Sequence, residues 1–87
     1  MPEVVIRFCV PCRYQAKAIE DADAILKEFG QALTALRLIP GGQGVYDVEL
    51  DGIQIFSLDR AMRFPETSEL VSKIRRSLAK DERPPSA

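Results

Sequence analysis

The chain has 87 residues, 46% hydrophobic and 29% charged, with 12 basic against 13 acidic side chains and a formal net charge of -1. That length allows one domain with a modest core and excludes a second, and the composition excludes an intrinsically disordered chain. Interspersed charge leaves no basic face with interleaved aromatics, so no nucleic-acid partner is expected, and Lys73, Arg75 and Arg76 read as a solvated helix face.

Glu3 to Phe8 (EVVIRF) is a β-branched and aromatic run that reads as a strand ending at the first of two cysteines. From Arg13 onward the apolar residues Ile19, Ala22, Leu26 and Phe29 recur at helical spacing, which predicts a helix of about four turns closing near Gly30. Leu33 to Ile39 (LTALRLI) reads as a second strand, stopped by Pro40-Gly41-Gly42, a cluster ill suited to a ladder. Val45 to Leu50 reads as a third. Asp51-Gly52 then predicts a type I′ hairpin, because both central positions of that turn need positive φ. A two-residue loop sets Leu50 opposite Ile53 and Val48 opposite Ile55 on an apolar face, with Glu49 opposite Gln54 on the other. Phe56 falls on the wetter face in that register, where it forms an apolar patch with Val45 and Leu58 or, as we expect, receives the second helix. Pro65 suits the first position of that helix, along which Leu70, Val71, Ile74 and Leu78 form an apolar stripe, with Glu66 and Glu69 near its positive end. The domain is expected over residues 1–80, with a disordered tail over 81–87.

The order β-α-β-β-β-α places a parallel first pair of strands around a helix and an antiparallel hairpin after it. This predicts an α/β (α+β) fold with a four-stranded mixed sheet and two helices, the layout of a thioredoxin-like domain. No apolar run of about 18 residues and no leader-like N-terminus is seen, so no membrane association and a cytoplasmic location are expected.

Cys9 and Cys12 are the chain's cysteines, separated by Val10 and Pro11 where strand passes to helix. A thiolate there is expected to be stabilised by unpaired amides and the helix dipole, with Cys12 in or just before the first helical turn. Arg7 and Arg13 are the nearest positive charges, but either can point away from the sulfurs, so they carry little of this expectation. Pro11 restricts the reduced loop, so closing a disulfide loses less entropy, and the pair is suited to thiol-disulfide exchange. Two other readings stand beside this one. A CxxC supplies two of the four ligands of a zinc or iron-sulfur site, which with no histidine would need a second chain, and buried cysteines can serve only as small packing residues. The position between strand and helix favours exchange. Exposure expected at a strand end points to Cys9 as the attacking residue. Gly41, Gly42 and Gly44 are expected to lie near the cysteines and, with Val10 and Pro11, to form a substrate loop.

The strand-CxxC-helix opening, Leu38-Ile39-Pro40-Gly41-Gly42, Gly44-Val45-Tyr46-Asp47-Val48, the Asp51-Gly52 turn and Phe64-Pro65-Glu66 together resemble the selenoprotein W-like (Rdx) family from about Val4 to Leu78. The resemblance implies a thioredoxin-like fold and a thiol-disulfide oxidoreductase acting through Cys9 and Cys12. It implies protein thiols or glutathione as partners, with glutathione a co-substrate rather than a tightly bound cofactor. Animal members often carry selenocysteine at the position of Cys12, which makes Cys12 the reactive residue by resemblance, so the order of attack stays open. Met62-Arg63 departs from the glycine-containing stretch common in the family. The alternative function is a redox-sensing or metal-binding interaction module without catalysis.

Overall fold

The structure is a computed structural model that describes residues 2–82, with side chains through residue 79. Strand β1 (Glu3–Cys9) leads into helix α1 (Gln15–Phe29) and a 3-10 turn at Gly30–Ala32. Strands β2 (Ala35–Gly41), β3 (Tyr46–Leu50) and β4 (Ile53–Ser57) follow, then a one-turn helix α2 (Leu58–Ala61) and helix α3 (Thr67–Glu82). The sheet order is β2-β1-β3-β4, with β1 and β2 parallel and the other two pairs antiparallel. This is the expected thioredoxin-like α/β (α+β) arrangement, with α2 as an addition. No helix among the described residues is long and apolar enough to cross a membrane.

Alternation builds the core. Val4, Ile6 and Phe8 of β1 and Tyr46, Val48 and Leu50 of β3 are buried in one cluster with Ala18, Ala22 and Ile25 of α1 and Leu70, Ile74 and Leu78 of α3. The opposite face of the sheet is polar and partly wet, where Arg7 pairs with Glu49 at 3.0 Å. The cationic run of α3 is divided between neighbours: Lys73 donates to the Ile55 carbonyl, while Arg75 pairs with Glu28 of α1 and lies over the Phe29 ring.

Several local expectations are corrected. The inward stripe of α1 is Ala18, Asp21, Ala22 and Ile25, whereas Ile19 and Leu26 are about half exposed, so the helix is rotated from the phase its largest apolar residues suggest. β2 starts at Ala35 and continues through Pro40 and Gly41, which pair with Phe8 and Cys9. As an edge strand bonded only to β1, it can turn the side of Pro40 that lacks an N–H outward. The Asp51-Gly52 turn forms as expected, with φ of 54° and 83°. Leu50 meets Ile53 and Glu49 meets Gln54, but a bulge then sets Val48 opposite Phe56 instead of Ile55. The extra residue carries Phe56 to the core side, where it is buried, in agreement with its assignment to packing. α3 starts at Thr67, so Pro65 precedes the helix; Glu66 accepts from the Glu69 and Leu70 amides. α3 reaches Glu82, two residues into the segment expected as tail, and residues 83–87 lie outside the described residues.

Candidate redox site

β1 carries Cys9 to the end of a central strand, and the turn that follows brings Cys12 back to it. The Cys9 N–H donates to the Val45 carbonyl at 2.8 Å, and its carbonyl accepts from the Tyr14 N–H at 3.2 Å. Between these, the Arg13 N–H bonds the Val10 carbonyl at 3.0 Å and Arg13 takes a φ of 66°, which closes the turn Val10-Pro11-Cys12-Arg13. The two cysteine Cα atoms are 5.3 Å apart and the sulfurs are joined in a disulfide, within the usual span for such a bond.

Exposure divides the pair. Cys9 is fully buried, while Val10, Pro11 and Cys12 are exposed. This reverses the expectation that the strand-end cysteine is the accessible one, because the start of β3 and the Cys9-Tyr14 hydrogen bond close over the strand end. Cys12 also stands outside α1, whose N-cap is Tyr14 and whose first bond runs from the Ala18 N–H to the Tyr14 carbonyl. The left-handed Arg13 keeps Cys12 from joining the first turn, where the dipole acts most strongly. Arg7 is engaged with Glu49. Among the described residues Arg13 makes no ion pair, so its charge beside Cys12 is not neutralised by a protein partner.

The glycine segment lies against Cys9. Gly41 pairs with Cys9 in the β1-β2 register, and its carbonyl accepts the Val10 N–H at 3.0 Å. A Cβ at Gly41 would stand 3.1 Å from Val45 Cγ1, so a larger residue must displace its neighbour. The Gly42 carbonyl accepts the Val45 N–H at 3.3 Å across Gln43 and Gly44, both with positive φ, which makes this a tight turn rather than a loose connection. A groove of about 640 Å³ opens beside it, with Gln43, Gly44 and Asp47 on one side and Leu58, Asp59 and Met62 on the other. Gly41 and Gly42 do not line that groove; their carbonyls are taken up by the two backbone bonds that hold the turns together.

Two features near the site are absent from the sequence reading. Tyr14, Phe64 and Tyr46 form an edge-to-face aromatic group, with ring centroids 4.8 Å apart for Tyr14 and Phe64 and 5.5 Å for Tyr46 and Phe64. This group connects the residue that caps α1 to β3 and to the segment before α3. Beneath it Asp21, fully buried on α1, accepts from Lys17 Nζ at 2.9 Å, the Thr67 hydroxyl at 2.8 Å and the Tyr46 hydroxyl. Burial, and then the hydrogen bond to Asp21, push the Tyr46 hydroxyl well above the ordinary tyrosine range. One sequence signal for this cluster exists: Tyr46 is in phase with the inward Val48 and Leu50, so its hydroxyl needs a buried acceptor.

The chain matches the Rdx family over residues 3–76. It is 32% identical over 74 residues to the mouse protein named migration and invasion enhancer 1, and 31% identical over 74 residues to the cattle protein of that name. Each match covers 85% of this chain and 63% of the relative, so the chain spans under two thirds of the length of these relatives. A crystal structure of a protein from Bordetella parapertussis aligns with TM-score 0.85 and 28% identity, covering 87% of this chain and 96% of the other. A crystal structure described as a selenoprotein W-related protein from Vibrio cholerae aligns with TM-score 0.86 and 21% identity, covering 88% and 96%. The chain, with its CxxC pair at the end of β1, belongs to the Rdx family.

Proposed function

We propose that the protein is a thiol-disulfide oxidoreductase in which Cys12 exchanges with substrate and Cys9 resolves. The observation that carries this reading is the division of exposure between two bonded sulfurs, with Cys12 open to solvent and Cys9 buried. In the reducing direction, the Cys12 thiolate attacks a substrate disulfide, a mixed disulfide forms and one substrate thiolate leaves. Cys9 then attacks Cys12 Sγ, the Cys9–Cys12 disulfide closes and the second substrate thiol is released. Two glutathione molecules return the pair to the dithiol and leave as oxidised glutathione, which balances the two electrons. Cys12 has Arg13 beside it, which makes no ion pair among the described residues, and that positive charge favours a thiolate. The exposed Val10 and Phe64 present apolar surface on the turn after Cys9 and on the ring packed edge-to-face with Tyr14, which suits a protein thiol as substrate. The groove beside Gly44 has the polar lining that a glutathione peptide or an extended protein segment would use.

Cysteine-to-serine variants test the order. Near neutral pH, Cys9→Ser is expected to leave a Cys12 that alkylates quickly and forms a mixed disulfide with oxidised glutathione. Cys12→Ser is expected to leave a Cys9 that reacts slowly because it is buried. Equal, slow rates typical of an unperturbed thiol would count against both the activation and the assignment.

A further inference from the structure

The outer side of β4, which pairs only with β3, carries a second cavity, adjoining the groove beside Gly44 and away from the cysteines. It has a volume of about 270 Å³ and lies between β4, α2 and the early turns of α3. Arg60, Arg63 and Lys73 line it against a single carboxylate, Glu69, so three cations less one anion leave two positive charges. That is a local excess in a chain whose net charge is -1.

Two of the three cations are held in place before any ligand arrives. Arg63 and Lys73 both lie over the Phe56 ring, 5.7 and 5.4 Å from its centroid. Arg63 also forks onto Glu69 with two bonds of 2.9 Å, and Lys73 donates to the Ile55 carbonyl at 3.0 Å. Glu69 is thereby engaged: its hydrogen bonds to Arg63 hold its carboxyl down at about 2, and its Oε2 lies 3.8 Å from Lys73 Nζ, so its single negative charge is shared between two cations. An ammonium carries three protons, so Lys73 keeps two donors beyond the Ile55 bond. Among the described residues Arg60 makes no ion pair. The Ser57 hydroxyl and the Gln54 amide add neutral donors in the same wall.

We propose that this cavity is a binding site for a phosphomonoester dianion. Two excess positive charges match a group that carries close to two negative charges at neutral pH, whereas one carboxylate would leave one charge unanswered. Three acceptor oxygens can take the Arg60 fork, the free Lys73 protons and the Ser57 hydroxyl together. The site contains neither cysteine, although it shares Gln54, Ser57 and Arg60 with the groove beside Gly44.

The test is an NMR titration of the isotopically labelled full chain at constant ionic strength, with inorganic phosphate, O-phosphoserine and acetate as probes. Saturable shifts at Ser57, Arg60, Arg63 and Lys73 are expected with a phosphoryl probe. Tighter binding of phosphate identifies a free ion as the source, and tighter binding of phosphoserine identifies a phosphorylated side chain. Arg60→Gln, which removes an exposed side chain with no ion pair, is expected to weaken binding by about tenfold, the effect of losing one charged hydrogen bond. Shifts that never saturate, an unchanged affinity in Arg60→Gln, or acetate binding as tightly as phosphate would overturn the proposal.

Discussion

Replacing Asp21 by alanine is expected to be among the most damaging single changes outside the apolar core. The carboxylate is fully buried and accepts from three elements of the fold: Lys17 of α1, Tyr46 of β3 and Thr67 at the start of α3. The three donors fare differently without it. Lys17 is partly exposed and already 3.5 Å from Glu20, so it finds water or that carboxylate at small cost. Thr67 is partly exposed and can also find water. Tyr46 is fully buried, and its hydroxyl loses its acceptor. A buried donor without a partner costs about 1–3 kcal/mol, and hydrogen bonds to a charged acceptor contribute about 1.5–3 kcal/mol each. Discounting the two wetter donors gives a loss of about 3–5 kcal/mol, the range for removing one side of a buried charged network. In a domain of this size that lowers the Tm by at least about 12 °C. Urea denaturation followed by circular dichroism measures it. A loss under about 1 kcal/mol would refute the reasoning. A double-mutant cycle with Tyr46→Phe supplies the control: Asp21→Leu together with Tyr46→Phe should cost less than the sum of the single changes, because neither polar group is then left alone.

The same tyrosine makes stability depend on alkaline pH. Its folded-state value lies above the ordinary value near 10, so its contribution is complete below about pH 10 and is lost as pH rises beyond it, because the unfolded chain releases the proton first. Tyr46→Phe should abolish that part of the decline in denaturation midpoints measured above pH 10. Glu69 behaves in the opposite sense: its hydrogen bonds to Arg63 lower its value from 4.5 to about 2, so its contribution is present above the unfolded value and is lost as pH falls toward 2. Side-chain NMR should place its titration near 2 and find it back in the ordinary range in Arg63→Gln. The orientation of α1 is tested by Ile25→Ala, which should cost about 2–5 kcal/mol, against Leu26→Ala, which should cost under about 1 kcal/mol. Similar losses at the two positions would contradict the observed packing.

Much of the fold is legible because local chemistry and tertiary position agree. The run EVVIRF, the periodicity after Arg13 and the two positive φ angles at Asp51-Gly52 each reflect a local preference that the fold retains. The misread features depend on distant partners. Small alanines and a buried aspartate form the inward stripe of α1 because its neighbours are Tyr46, Thr67 and the closely packed α3, none of which the helix sequence names. Pro40 stays in a ladder only because β2 lies at an edge, and edge position is set by topology. The bulge that carries Phe56 inward has no signature in IQIFS. At the site, the CxxC spacing gives both cysteines and their bond, but their unequal burial depends on Val45 and Tyr14 closing over the strand end.

A redox titration of the metal-free protein against glutathione buffers, following the Cys9–Cys12 bond by mass, tests the exchange function most directly. A reversible intramolecular couple between roughly -180 and -300 mV, the span of working oxidoreductases and cellular poise, is the predicted result. Failure to form that bond, or formation of only a mixed disulfide with glutathione, would contradict the dithiol mechanism.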